Sequence, residues 1–181
     1  MVWIILGVVL VIIIGWYIGT ANKMRTHIVK CEEALSDIDV ALTKRFDTLT
    51  KMLETTKGYA KHESETLMNV IAMRKGVKDM TPEEKVEYDK TLNEATRSLN
   101  VVVEQYPDLK ANELFKGLQN AIVDIEDHLA ASRRVYNSNV SSLKQMTVVF
   151  PSSIVAKMAH IVVPPMFAAE ERKREDVNMT F

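Results

Sequence analysis

Apolar residues recur along residues 23–75 at intervals dominated by three and four: Ile28, Cys31, Leu35, Ile38, Leu42, Phe46, Leu49, Leu53, Ala60, Leu67 and Val70. That spacing places them on one narrow stripe of an α-helix. No proline interrupts the run, and Gly58 is its only breaker. The pattern therefore predicts a single rod, roughly 80 Å long. Its first half reads as heptads, with Ile28, Leu35, Leu42 and Leu49 at one position and Cys31 and Ile38 three residues later. Arg45 interrupts the second seam and Phe46 takes over one residue along, the shift expected where a coiled-coil seam relaxes into bundle packing.

The residues before this rod are apolar without periodicity. Residues 2–18 contain no charged side chain and consist mainly of Val, Ile and Leu. Extended to Ala21, the segment has about 20 residues, the length that crosses the hydrocarbon core of a bilayer as a helix. Trp3, Trp16 and Tyr17 lie near its two ends, where amphipathic rings favour the interface. Gly19-Thr20-Ala21 resembles a signal-peptide cleavage site, but no Lys or Arg precedes the apolar run, so the segment reads as a retained anchor. Lys23, Arg25 and Lys30 follow the span. The positive-inside rule then places the N-terminus outside and the rest of the chain in the cytoplasm, behind a single membrane pass.

Beyond the rod, Arg74-Lys75-Gly76 predicts a helix end, with cations in the last turn and glycine to take a left-handed conformation. Thr81-Pro82-Glu83-Glu84 predicts the next start: a capping threonine, a proline at the first helical position and a glutamate to complete a capping box. This second helix runs over 82–105 with Val86, Leu92, Leu99, Val102 and Val103 inward. After a turn at Tyr106-Pro107-Asp108, a third helix over 111–146 presents Leu114, Leu118, Ile122, Ile125, Leu129, Tyr136, Val140 and Leu143. Phe150-Pro151-Ser152-Ser153 leads into a short apolar fourth helix over 154–163, stopped by Pro164-Pro165.

The expected fold is thus all-α. A transmembrane anchor, residues 1–21, continues into the long first helix of an antiparallel bundle of about four helices with coiled-coil character, residues 22–165, the first helix spanning 22–75. A C-terminal tail, 166–181, carries the mixed run Glu170-Glu171-Arg172-Lys173-Arg174-Glu175-Asp176, which reads as a solvated surface. Short links favour antiparallel neighbours. The second helix should return toward the membrane, the third should climb again, and the fourth should close the core at the far end; lying on a bilayer is the other reading of its apolar sequence.

A helix over 82–105 spans roughly 36 Å and covers only the distal part of the first. Ile28, Cys31, Leu35, Ile38, Leu42 and Leu49 are left without an obvious partner in their own chain. An exposed stripe of this kind calls for a cover. The expected cover is other copies of the chain, which makes these six residues a self-association stripe; the competing reading is that the C-terminal tail folds back along it.

Composition narrows the chemistry. The 181 residues include 23 Lys+Arg and 24 Asp+Glu, for a formal net charge of -1. The basic excess of a phosphate-binding surface is missing, which argues against nucleic acid. The single cysteine, Cys31, has no partner for an internal disulfide. On the apolar stripe it reads as a core residue, with a disulfide between chains as the alternative.

His27, His62, His128 and His160 are preceded at three residues by Met24, Tyr59, Ile125 and Lys157. The Glu-x-x-His signature of a di-iron bundle is therefore absent. Asp124, Glu126, Asp127 and His128 make the nearest approach to a ligand cluster, and they read as exposed polar residues. His62-Glu63-Ser64-Glu65 lacks the second histidine of a zinc-protease helix. There is no glycine-rich phosphate loop and no nucleophile elbow. No catalytic residue, metal or cofactor is expected.

Several motifs carry a resemblance. Ser36-Asp37-Ile38-Asp39-Val40, Lys44-Arg45-Phe46-Asp47 and Glu54-Thr55-Thr56-Lys57-Gly58-Tyr59-Ala60-Lys61-His62-Glu63 closely resemble the signature of the bacterial LemA family. Tyr106-Pro107-Asp108-Leu109-Lys110-Ala111-Asn112-Glu113, Arg134-Val135-Tyr136-Asn137, Phe150-Pro151, Pro165-Met166-Phe167 and Phe181 continue it. The resemblance implies a single-pass membrane protein with a soluble antiparallel bundle, and it supplies no reaction. Thr50-Lys51 stands where the family commonly has Pro-Asn, which implies a straighter first helix, and Leu35 stands where a Trp is common. The function these observations predict is a membrane-anchored, self-associating scaffold or interaction protein. A small-molecule or metal-binding module inside the bundle is the alternative.

Overall fold

The computed structural model describes residues 1–57 and 76–167. The described residues form five α-helices and no strand: α1 (Val2–Lys57), α2 (Pro82–Gln105), α3 (Pro107–Ala111), α4 (Glu113–Val148) and α5 (Ser152–Met158). A single 3-10 turn, Val77–Asp79, precedes α2. Gly58, Ala60, His62, Glu63, Leu67, Val70, Arg74 and Lys75 lie outside the described residues, as do the charged tail and Phe181.

Helix α1 runs for 56 residues, from the apolar N-terminus into the soluble chain, without interruption. Its threonines adapt to the helix by bonding back one turn: Thr26 to the Asn22 carbonyl at 3.0 Å, Thr50 to Phe46 at 3.0 Å and Thr56 to Met52 at 2.9 Å. Helix α2 starts as the sequence demands. The Thr81 hydroxyl accepts the Glu84 amide at 3.2 Å, and the Thr81 amide donates to Glu84 Oε2 at 2.7 Å, a closed capping box. Asn112 caps α4, its Oδ1 accepting the Leu114 and Phe115 amides at 2.9 and 3.2 Å. This start fixes the phase of α4. Phe115 is buried and Leu114 exposed, the reverse of the expected inward Leu114.

The chain divides into two compact units. One comprises residues 1–40 and 127–165. In it the end of α4 runs antiparallel to α1: Asn139 Nδ2 donates to the Lys30 carbonyl at 3.3 Å, and Leu143 clusters with Met24. Ala156 of α5 joins that cluster, with Ile28, Met146, Ile161 and Val163 around it. Helix α5 is shorter than the expected 154–163, ending at Met158 rather than at the prolines. His160 takes a left-handed φ of 50°. The Ile161 amide then reaches the Ala156 carbonyl at 3.0 Å and the His160 amide reaches Lys157 at 3.3 Å, a Schellman ending. The Tyr136 hydroxyl donates to the Pro165 carbonyl at 2.9 Å, fixing the segment that follows.

The other unit comprises residues 41–126 and 166–181. Leu42, Leu49, Met52, Leu92, Leu99, Leu109 and Phe115 are buried in it. Here α2 and α4 are antiparallel, with Asn100 against Gln119 at 3.3 Å while Asp89 and Glu126 meet a common partner further along. Phe167 is buried, so the fold continues past residue 165, where a solvated tail was expected to begin.

Three further expectations are corrected. The third helix does not climb beside α1 but descends along it, and α5 sits beside Met24 rather than at the far end. The apolar pattern fixes which face of α4 is buried but not which way it runs; the Asn139–Lys30 and Leu143–Met24 contacts settle that direction. Gly76 has φ −59°, so it does not supply the left-handed helix ending assigned to it.

Candidate functional site

The six-residue stripe is covered from within the chain. Cys31, Ile38, Leu42 and Leu49 are buried, and Ile28 and Leu35 are half-buried. The premise for self-association along it, that these residues lack an intramolecular partner, does not hold. At the start of the stripe Ile28 packs against the cluster of Met24, Leu143 and Ala156, built from α1, α4 and α5 of the same chain. Burial raises the pKa of the Cys31 thiol, with the charge of Glu32 adding to it. The thiol sits in the core, as the apolar stripe predicts, and not on an accessible seam.

Arg45, read from the sequence as a break in the seam, is the centre of the most developed polar arrangement among the described residues. It is 1% exposed. One guanidinium nitrogen, Nη1, donates to Asp89 Oδ1 at 2.5 Å, and Nη2 donates to Asn93 Oδ1 at 2.9 Å. Nη2 also pairs with Glu126 Oε1. The side chains of Asp89 and Glu126 are 5% and 43% exposed. Three helices therefore converge on one cation: α1 supplies Arg45, α2 supplies Asp89 and Asn93, and α4 supplies Glu126.

The local sequence explains how. Lys85, Asp89 and Asn93 recur at four-residue spacing, so they share the inward face of α2 with Tyr88, Leu92 and Leu99. Lys85 and Asp89 are both buried, and both make further polar interactions. Tyr88 lies beside them, its phenol pushed up to about 12 by burial and then by the charge of Asp47. A charged residue at a core position signals a buried counter-ion, because an isolated charge is rarely retained there. That was the legible clue at Arg45. The partners were not legible, since Asp89 and Glu126 lie 44 and 81 residues away.

The arrangement joins α1, α2 and α4 through charged and amide groups. Asn93 Nδ2 donates to Asp89 Oδ2 at 3.4 Å, so the amide orients the carboxylate that Arg45 engages. Of the acidic residues near His128, Glu126 turns to Arg45, while Asp124, Asp127 and His128 are exposed. No group of three or more His, Cys, Asp or Glu side chains able to hold a metal occurs among the described residues.

Comparison with known proteins covers both units. A family model described as the LemA family matches residues 34–181, which include Arg45, Asp89, Asn93 and Glu126. The chain is also similar to a protein named Protein LemA from Metamycoplasma hominis, with 30% identity over 164 residues, covering 90% of this chain and 75% of the relative. The model match, which extends over most of the sequence, and the identity across nearly all of it agree: the chain belongs to the LemA family.

Proposed function

We propose that this protein is a membrane-anchored interaction module, holding its helices at the cytoplasmic face of a bacterial membrane. The observation that carries the reading is the surface of the first part of α1. Residues 2–18 are apolar on every side of the helix, and none of the apolar window is buried in protein. A helix hydrophobic all round is either a core helix or a membrane span. With no protein around it, lipid is the solvent that accounts for such a surface.

The reading also fits the continuity of α1. Ala21 and Met24 are buried, so cleavage after Ala21 would remove part of the folded unit along with the apolar segment. Buried charges in the Arg45 node engage one another, which supports a structural use of the polar residues. Because the stripe at Ile28–Leu49 is filled from within the chain, the proposal includes no pairing of copies along it.

The test is extraction of membranes with alkaline carbonate, joined to an intact-mass measurement of the N-terminus. The protein should remain in the membrane pellet with residues 1–21 retained. Release into the supernatant, or a mature chain starting after Ala21, overturns the anchor. Orientation is read with an impermeant thiol reagent on Ser36→Cys in a Cys31→Ala background. Labelling is expected in inverted vesicles and not in intact spheroplasts.

A further inference from the structure

We infer that the turn between α4 and α5 is a second membrane contact, seated in the headgroup region of the leaflet from which α1 emerges. The inference rests on the anchor proposed above. Leu143 packs at the level of Met24, with α4 antiparallel to α1. From Leu143 to Val148 is five residues, about 7.5 Å along a helix. Moving the same distance down α1 from Met24 reaches Gly19, at the end of the apolar span. The chain reverses immediately after Val148, and Ala156 returns to the level of Met24. Residues 148–151 are therefore level with the last turn of the span.

What the turn exposes at that level is apolar. Val148 is 71% and Phe150 77% exposed, and Val149, Ile154 and Met158 are exposed beside them. The other side of α5, Val155 and Ala156, is buried against the unit. Helix α5 thus carries apolar residues on two sides, one turned into the unit and one outward. In water the outer side is a liability. Against lipid it is an anchor, and Phe150 is suited to the boundary between acyl chains and headgroups.

Charge points to the same occupant. Every charged side chain in residues 1–31 and 128–165 is a cation; no Asp or Glu occurs in either stretch, although the chain contains 24. Lys23 and Arg25 on α1, Lys144 on α4 and Lys157 on α5 are exposed around the apolar turn. An apolar tip rimmed by cations without carboxylates complements an anionic bilayer surface. A second copy of the same tip would bring like charges together. The contact restrains the tilt of the unit against the membrane plane, which a single span leaves free.

The experiment uses the full chain in vesicles, in a Cys31→Ala background, with a bimane label at one introduced cysteine. Val9→Cys reports the anchor, Phe150→Cys and Val148→Cys the tip, and Val101→Cys, exposed in the other unit, a reference. Quenching by doxyl-lipids, labelled shallow for the tip and reference and deep for Val9→Cys, is compared with quenching by aqueous iodide. The tip labels should show at least threefold more lipid quenching than Val101→Cys, and more in vesicles of phosphatidylcholine with one-quarter phosphatidylglycerol than in phosphatidylcholine alone. Lysine reversal, Lys144→Glu with Lys157→Glu, should abolish that dependence on anionic lipid. If Val9→Cys is quenched by lipid while both tip labels respond only to iodide, the inference is overturned and the anchor stands. If the tip labels are shielded from both quenchers, protein rather than lipid covers the turn, which also overturns it. If Val9→Cys is not quenched by lipid, the anchor fails and the inference fails with it.

Discussion

Replacing Arg45 with methionine would keep most of the side-chain volume and remove the one cation at which α1, α2 and α4 converge. Three hydrogen-bonded contacts disappear: those to Asp89 at 2.5 Å, to Asn93 at 2.9 Å and to Glu126. Because Arg45 is 1% and the Asp89 side chain 5% exposed, solvent offers little screening of that pair. Removing one member of a buried ion pair costs about 3–5 kcal/mol, much of it the desolvation of the charge left behind. Glu126 is 43% exposed and accounts for less than about 1 kcal/mol. At about 3 °C per kcal/mol for a chain of this size, Arg45→Met should lower the melting temperature by roughly 10 °C. The assay is far-UV circular dichroism of the full chain in detergent micelles, with a guanidinium titration alongside. Glu126→Gln should fall within about 3 °C of the parent. Combining Arg45→Met with Asp89→Leu should restore much of the loss, because a matched apolar pair replaces a buried ionic one. An Arg45→Met protein that melts within about 2 °C of the parent would refute the reasoning. So would a Glu126→Gln variant as damaged as Asp89→Asn, because the ranking follows from burial.

Thr81→Ala removes the hydroxyl that accepts the Glu84 amide and should destabilise the start of α2 by about 1 kcal/mol, seen as faster hydrogen exchange in its first turn. His160→Gly relieves a left-handed φ of 50° and should leave stability unchanged or raise it by up to about 1 kcal/mol, whereas His160→Val should lower it by about 1–2 kcal/mol in the same melt. Tyr88 is held protonated up to about 12, so the unfolded chain loses that proton first as pH rises above 10. Stability should therefore fall from pH 10 to 12, and Tyr88→Phe should flatten that fall in guanidinium titrations across the range. Cys31, buried and with a raised thiol pKa, should react with an aromatic disulfide reagent at pH 8 at least tenfold more slowly in the folded protein than after denaturation.

The local elements of this protein were legible because local chemistry made them. The Thr81–Glu84 box and Pro82 began α2 at the expected residue, and Gln105 ended it where Tyr106-Pro107 required. The three- and four-residue recurrence of Cys31, Ile38, Leu42 and Leu49 selected the buried face of α1, and the uncharged residues 2–18 marked its exposed apolar end. What covers that buried face depended on which way α4 runs along α1. Periodicity carries no record of direction, so the burial of Cys31, Ile38, Leu42 and Leu49 within the chain was not legible in it. The same limit applies to Arg45. Its sequence position announced a charge in a core, but only tertiary structure brought Asp89, Asn93 and Glu126 to it from two other helices. Tertiary structure likewise set Leu143 and Ala156 beside Met24, since they meet only when α4 folds back along α1.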